Sequence, residues 1–226
     1  MQIGKLLLLA IASSAAVAAT SWAATSERVR GTVESINGNS LMIRTAGGKD
    51  VNVTLDAGTK YAALTKASLK DVTKGTYIGT ATKGTGDVAL EVVIFPSSMR
   101  GTDDGHYAWD EITDTTVSGG ERTNSAMTNG SVSQVSGTAP KVKSAMTNGN
   151  VDAASTTSRS KKITVSYHGG TQEITIPPTA PIVAIEPSDA SIVKHGAHVF
   201  IKATVDDGRV TAESVAVGKN GLKPPM

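Results

Sequence analysis

The second half of the chain repeats the first, and self-similarity over this length decides architecture before any other signal. Residues 41–95 match residues 163–217. Each segment begins with a short apolar strand, Leu41-Met42-Ile43 or Ile163-Thr164-Val165. Each turns on a double glycine, Gly47-Gly48 or Gly169-Gly170, and resumes with Val51-Asn52-Val53 or Ile174-Thr175-Ile176. Each then reaches Lys74-Gly75 or His195-Gly196, and a strand centred on Ile78 or Val199. The last strand is 88–95 or 210–217, with Glu91 and Glu213 at matching places.

Within the first unit, residues 27–96, apolar and polar residues alternate. Val29 and Val33 take one face of a strand, and Arg28, Arg30 and Glu34 take the other. Leu41 and Ile43 point inward against Met42 and Arg44, as do Val51, Val53 and Leu55 against Asn52 and Thr54. A period of two marks half-buried strands. Gly31 sits between the two valines, where a missing side chain lets a strand bend. Gly38-Asn39 and Gly47-Gly48 supply the positive φ that tight hairpins need. Residues 65–72 have helical character for two turns at most, and strands follow over 76–82 and 88–95.

Three strands, a short helical turn and two strands are the pattern of a five-stranded OB-like barrel, with an SH3-like barrel as the neighbouring solution. The second unit, 149–218, follows by repetition, with Val151 standing for its first strand. Pro177, Pro178, Pro181 and Pro187 keep it extended where the first unit has its helical turn. The expectation is an all-β protein: two tandem small barrels, a joining segment over 97–148 and a tail over 219–226.

The joining segment is rich in Ser, Thr, Asn and Gly, a composition that buries too little apolar surface to order itself alone. It contains a second, shorter duplication. Ser125-Ala126-Met127-Thr128-Asn129-Gly130 returns as Ser144-Ala145-Met146-Thr147-Asn148-Gly149. A valine follows each copy, Val132 or Val151. The second copy is expected to open the second barrel, leaving the first looped out or forming an alternative strand.

Lys5, an uncharged apolar run over 6–19 and Ser21-Trp22-Ala23 form an export signal with cleavage expected after Ala23. The expected location is periplasmic or secreted, with no membrane span after cleavage. The chain has no cysteine, so neither a disulfide nor thiol chemistry is available. Of 22 basic residues, loss of Lys5 leaves 21 against 20 acidic ones. A balanced surface has no general attraction to nucleic acid, and the few aromatics do not make a base-stacking groove, so nucleic acid is excluded as a partner.

The densest polar cluster is Asp103-Asp104-Gly105-His106-Tyr107-Ala108-Trp109-Asp110-Glu111. Tyr107 and Trp109 would pack over a barrel end, and His106, Tyr107 and Trp109 are the candidate binding residues. The alternative is a divalent cation held by Asp103, Asp104, His106, Asp110 and Glu111, although their spacing fits no calcium or zinc signature. His195 and His198, three apart on a strand, point to opposite faces. Ser158 with Lys161 and Ser191 with Lys194 match a serine–lysine spacing without the companion motifs such enzymes carry. No catalytic residue and no cofactor is assigned.

Several pieces resemble an uncharacterised family of bacterial exported proteins with OB-like domains, whose members are sometimes labelled metal-transporter permeases. They are Met99-Arg100-Gly101, Gly105-His106-Tyr107 with Trp109-Asp110, and Met146-Thr147-Asn148-Gly149. Pro177-Pro178 with Pro181-Ile182-Val183, the run 195–200 and the tail from Val217 to Met226 complete the set. The resemblance implies OB-like domains and export, and no established reaction. A permease needs several membrane spans, which this chain lacks. The expected function is a non-enzymatic binding or scaffold protein of the cell envelope with an unidentified envelope or protein partner. The alternative is a periplasmic metal-handling accessory.

Overall fold

The computed structural model describes residues 24–84, 86–117, 120–136 and 160–225. The expected signal segment, Val151 and the second SAMTNG copy lie outside the described residues. Among the described residues the fold is all-β, with fifteen strands and three 3-10 turns. No helix there is long and apolar enough to cross a membrane.

In chain order the strands are β1 (Thr25–Asn37), β2 (Ser40–Thr45), β3 (Asp50–Thr54), β4 (Lys60–Lys66), β5 (Tyr77–Lys83) and β6 (Ala89–Phe95). Then come β7 (Gly105–Ala108), β8 (Ile112–Thr113), β9 (Arg122–Thr123) and β10 (Ser125–Ser136). The last five are β11 (Lys161–Tyr167), β12 (Gly170–Ile176), β13 (Ile182–Ser188), β14 (His198–Asp206) and β15 (Arg209–Gly218). β8 and β9 pair with each other, and the other thirteen strands join one sheet.

The local rules behind these strands are those of the sequence. Val29, Val33, Leu41, Ile43 and Val53 are buried, and their polar neighbours face out. Two of the glycines required by close approach take matching places in the repeat. A Cβ on Gly31 would sit 2.2 Å from the Arg44 carbonyl oxygen, and one on Gly130 would sit 2.4 Å from that of Ser166. Both lie just before a bulge in the ladder, after the pair Val33–Ile43 in β1 and after Val132–Val165 in β10. β1 and β10 are therefore equivalent strands, each the first of a three-stranded meander.

The pairing of the meanders with the hairpins departs from the expected tandem order. β1 pairs β2, β2 pairs β3, β3 runs parallel to β15, β15 pairs β14, and β14 returns to β1. This closed circuit takes its last two strands from the far half of the chain. The second circuit runs β12–β11–β10–β5–β6. It returns through the Val88–Thr175 bridge and a 2.6 Å hydrogen bond from the Thr175 N–H to the Asp87 carbonyl. The strands expected to close within 27–96, and those within 149–218, thus exchange their final hairpins.

The exchange follows from β4 and β13. β4 lies between β15, parallel to it, and β13, antiparallel to it; β13 lies in turn parallel to β6. Tyr61 runs beside Val215 and Ile182 beside Val92, so β4 and β13 are equivalents. Leu64 stands opposite Ile185, and a local two-fold axis passes between them. The helical turn expected over 65–72 does not form. β4 holds the chain extended to Lys66, because pairing on both edges outweighs a helix too short to nucleate alone. A tight turn follows, in which the Ser68 N–H and hydroxyl both donate to Asp71 Oδ2 at 2.8 Å. The extended chain carries β5 and β6 across to the other circuit. Residues 182–188, with Pro187, are extended as expected, whereas Pro177 and Pro178 enter a turn in which the Ala180 N–H donates to the Pro177 carbonyl.

The joining segment also differs from expectation. It supplies β7 to β10, and the first SAMTNG copy fills the buried half of β10, between β5 on one side and β7 on the other. The two copies are identical, so their flanks decide the matter. Ser131-Val132-Ser133-Gln134-Val135 suits a strand better than Asn150-Val151-Asp152-Ala153-Ala154, because Asn, Asp and Ala are depleted in strands.

Each circuit encloses a core drawn from both halves. Val29, Val33, Leu41, Ile43 and Val53 pack with Val199, Ile201, Ala203, Val215 and Val217. Ile78, Ala89 and Val92 pack with Val132, Ile163, Val165, Ile174 and Ile176. Ile201→Ala should cost about 2–5 kcal/mol. By hydrogen exchange, the amides of residues 25–54 should lose protection with it, while those of residues 161–176 lose less. Loss confined to the second half would contradict the exchanged pairing.

Candidate functional site

The segment from Asp103 to Glu111 lies where the two circuits meet. β7 adds to β10, with Tyr107 opposite Met127 and His106 opposite Thr128. The Trp109 N–H then donates to the Ser125 carbonyl, and the Ser125 hydroxyl donates to the Asp110 carbonyl at 2.7 Å. Alternation along β7 sends Tyr107 and His106 to opposite faces.

On one face Tyr107 and Trp109 pack against Ala81, Leu90, Ile112 and Met127. Tyr107 Oη accepts from Asn129 Nδ2 at 3.0 Å, and the same amide donates to the Asp103 carbonyl at 3.1 Å. Burial, reinforced by the Asp103 charge, pushes the Tyr107 hydroxyl up to about 12. The first circuit reaches over from β1. The Arg28 guanidinium lies 3.7 Å from the Trp109 ring centre and 2.9 Å from Asp110 Oδ1. Arg30 lies 2.7 Å from Asp110 Oδ2 and also covers Phe200. One carboxylate thus holds two arginines, and the aromatic pair serves as the expected plug. These contacts join the two circuits rather than form a cleft.

On the other face His106 is exposed. Its ring stacks on Tyr167 at 6.1 Å between centres, and Nδ1 lies 2.9 Å from Thr128 Oγ1. His168 is exposed next along the chain, and its N–H donates to Asp104 Oδ1 at 3.0 Å. Tyr167 and His168 belong to the β11–β12 turn, so residues about 60 positions apart in sequence form this corner. Nothing in the sequence links Tyr167 to His106, since the contact depends on β7 adding to β10.

The five residues considered for a metal are not gathered. Asp103 lies 3.8 Å from Lys202, Asp104 caps His168, His106 meets Thr128, Asp110 holds Arg28 and Arg30, and Glu111 is 4.0 Å from Arg122. Among the described residues no three His, Asp or Glu side chains come together as an ion site.

The other singled-out residues are also separate. His195 is exposed at a turn, and His198 Nδ1 lies 3.0 Å from Thr32 Oγ1. Ser158 is outside the described residues; Lys161 Nζ donates to the Leu69 and Val72 carbonyls at 2.6 Å each. The Ser191 N–H donates to Asp189 Oδ1. Glu91 and Glu213 are not equivalent in the ladder. Glu91 pairs with Ala81, the place that Ser214 takes opposite Lys202, while Glu213 falls in the adjacent bulge. Glu91 is 5 % exposed and Glu213 is exposed, so the two do not share an environment. Asp114 is a charged group that sequence reading missed. Hydrogen bonds from Lys83 Nζ at 2.6 Å and from Thr116 lower its carboxyl to about 2.

Two open depressions, about 370 and 440 Å³, mark the described surface. The first is lined by Val72, Thr73, Lys74, Ser133, Gln134, Val135 and Lys161, and the second includes Lys83, Asp114 and Arg122. Neither includes a residue of the His106–Tyr167 corner.

Asp110→Ala should lower stability by about 1 kcal/mol, since both arginines are partly exposed. In protein lacking residues 1–23, Trp109 is the only tryptophan, and its emission should shift to the red as Arg28 leaves the ring. The difference should shrink in high salt. Unchanged emission would show that Asp110 does not hold the stack. Compared with protein-family models, curated proteins and solved structures, the chain matches none.

Proposed function

We propose that this chain is an exported, non-enzymatic binding module of the cell envelope, made of two OB-like barrels that exchange their closing hairpins. The strand order of the first circuit carries this reading. Taken as a meander followed by a hairpin, it runs 1-2-3-5-4 and back to 1, with five antiparallel or parallel pairings in a ring. A five-stranded, partly open Greek-key barrel of this kind is the OB architecture. The second circuit repeats the order with a weaker closing contact. The resemblance to exported OB-like proteins agrees with this arrangement, and the apolar run over 6–19 supports export.

The functional part of the reading rests on the site and not on the fold. The cluster's charges are occupied: Asp110 with two arginines and Asp103 with Lys202 join the circuits, and Asp104 caps the His168 backbone within the second. Of the serine–lysine pairs that the sequence offered, the Ser191 N–H caps Asp189 and Ser158 lies outside the described residues. The surface assigned to the partner is the corner of His106, Tyr167 and His168, which presents a stacked ring pair and two imidazoles. Such groups favour a polar protein surface with an aromatic or acidic contact.

A photo-crosslinking residue at position 106 or 168, expressed in intact cells, should capture the same envelope component. Tyr167→Ala should reduce that capture several-fold, and a crosslinker at exposed Asn39 should miss it. Equal capture from position 39 would remove the corner from the account. Labelling by a serine-reactive probe that one serine substitution abolishes would overturn the non-enzyme reading.

A further inference from the structure

We propose that the open edge of β1, from Ser26 to Arg30, accepts an added strand from a partner: an extended segment in which acidic residues alternate with apolar ones. The place that β7 holds in the second circuit carries this inference.

Gly31 and Gly130 align the two meanders, since each stands two residues before the last pair ahead of its bulge, Val33–Ile43 or Val132–Val165. Glu27, Arg28, Val29 and Arg30 then take the places of Ala126, Met127, Thr128 and Asn129. On one edge the two strands are treated alike. β14 pairs β1 over residues 25–32, and β5 pairs β10 over residues 125–131. On the other edge β2 pairs β1 from Gly31 onward, and β11 pairs β10 from Ser131 onward. Neither β2 nor β11 reaches the first part of its neighbour.

In β10 that part is covered from within the chain. β7 adds antiparallel to Ala126, Met127, Thr128 and Asn129, and the Trp109 N–H extends the pairing to the Ser125 carbonyl. In β1, among the described residues, no strand covers the matching stretch. The N–H and C=O of Val33 bond Ala197 and Gly196 on the β14 side. Alternation therefore turns the backbone groups of Ser26, Arg28 and Arg30 to the open edge. Such an edge is a template for pairing, and proteins blunt it or cover it.

The side chains along the edge select what covers it. Arg28 and Arg30 share one face with Asp110 between them, which leaves that face one positive charge in excess. Val29 lies on the other face and is 3 % exposed. A strand with acids opposite Arg28 and Arg30, and an apolar residue opposite Val29, suits both faces, because opposite charges across a pair are stabilising. A second copy of this chain does not suit them. Two β1 edges would pair antiparallel about a two-fold axis. Centred on Arg28, that pairing sets Arg28 opposite itself; centred on Val29, it sets Arg28 opposite Arg30; centred on Glu27, it sets Glu27 opposite itself. Like charges directly opposite are destabilising. In strand addition the main-chain hydrogen bonds supply affinity and alternate side chains supply specificity. This edge belongs to the first circuit, so it is a second surface beside the His106 corner and does not depend on it.

Hydrogen exchange read by NMR tests the proposal, with two end-blocked hexapeptides as probes. One alternates Glu with Val, the other Lys with Val. In the protein alone, the amides of Ser26, Arg28 and Arg30 should exchange freely while that of Val29, which faces β14, is protected. The Glu–Val peptide in large excess should slow exchange at Arg28 and Arg30 about tenfold, and less in high salt. The Lys–Val peptide should leave both amides unchanged. Slow exchange at Arg28 and Arg30 in dilute protein alone would show that the edge is already covered. Slowing that grows with protein concentration would assign the edge to a second copy. Equal slowing by both peptides, or by neither, would remove the acidic strand. Each of these three results overturns the proposal.

Discussion

The pairing of β4 with β13 about the Leu64–Ile185 contact governs the rest of the molecule. It places two extended strands at the local two-fold axis, each on the edge of a hairpin from the other's half. A chain that leaves the first meander through β4 has already crossed to the far circuit when it turns at Ser68–Asp71. Hairpin exchange is then a consequence of direction, and no additional interaction is needed to explain it.

Two properties follow from this crossing. The cores are shared, so neither half can bury its aliphatics without the other. Val33 and Ile201, or Ile78 and Ile174, are distant in sequence and adjacent in the interior. Such contacts are formed late and slowly, since each requires closing a long loop. The outer faces of the two circuits are also brought together, which gives the segment from Asp103 to Asp110 its setting. Arg28 and Arg30 of β1 there meet Trp109 and Asp110, which follow β7. The exposed corner at His106 is what that seam leaves to solvent.

Strand positions and face assignments were legible because they rest on local alternation. Val29, Val33, Leu41, Ile43 and Val53 are inward, as the pattern implied; Gly31, read as a bend, is required by the close approach of the Arg44 carbonyl. The repeat itself was legible, down to the equivalence of Ile78 and Val199. The choice of partner strand was not, because alternation is the same whichever hairpin closes the ring. The helix expected over 65–72 failed for a related reason: a weak local preference was outweighed by pairing on two edges of β4. Low-complexity composition hid β10, since Ser, Thr, Asn and Gly there are buried by pairing and close packing rather than by apolar bulk. At the site, the cluster was visible as a cluster. Its division into a buried seam and an exposed corner depended on β7 joining β10. The Glu91–Glu213 match failed by one residue because both hairpins carry the same bulge but their turns differ in length, which puts Leu90 at the place of Glu213.

The shared cores can be tested by making residues 24–136 and 137–226 as separate chains. Each should be unfolded by circular dichroism and hydrogen exchange, because the first holds a meander without the β14–β15 hairpin that closes it, and the second holds β11 and β12 without β10 or the β5–β6 hairpin. Mixed in equal amounts, they should regain a β spectrum and one cooperative melting transition, with a complex of one copy of each. A cooperative transition in either chain alone would show that a half closes on itself, and the exchanged architecture would then be wrong.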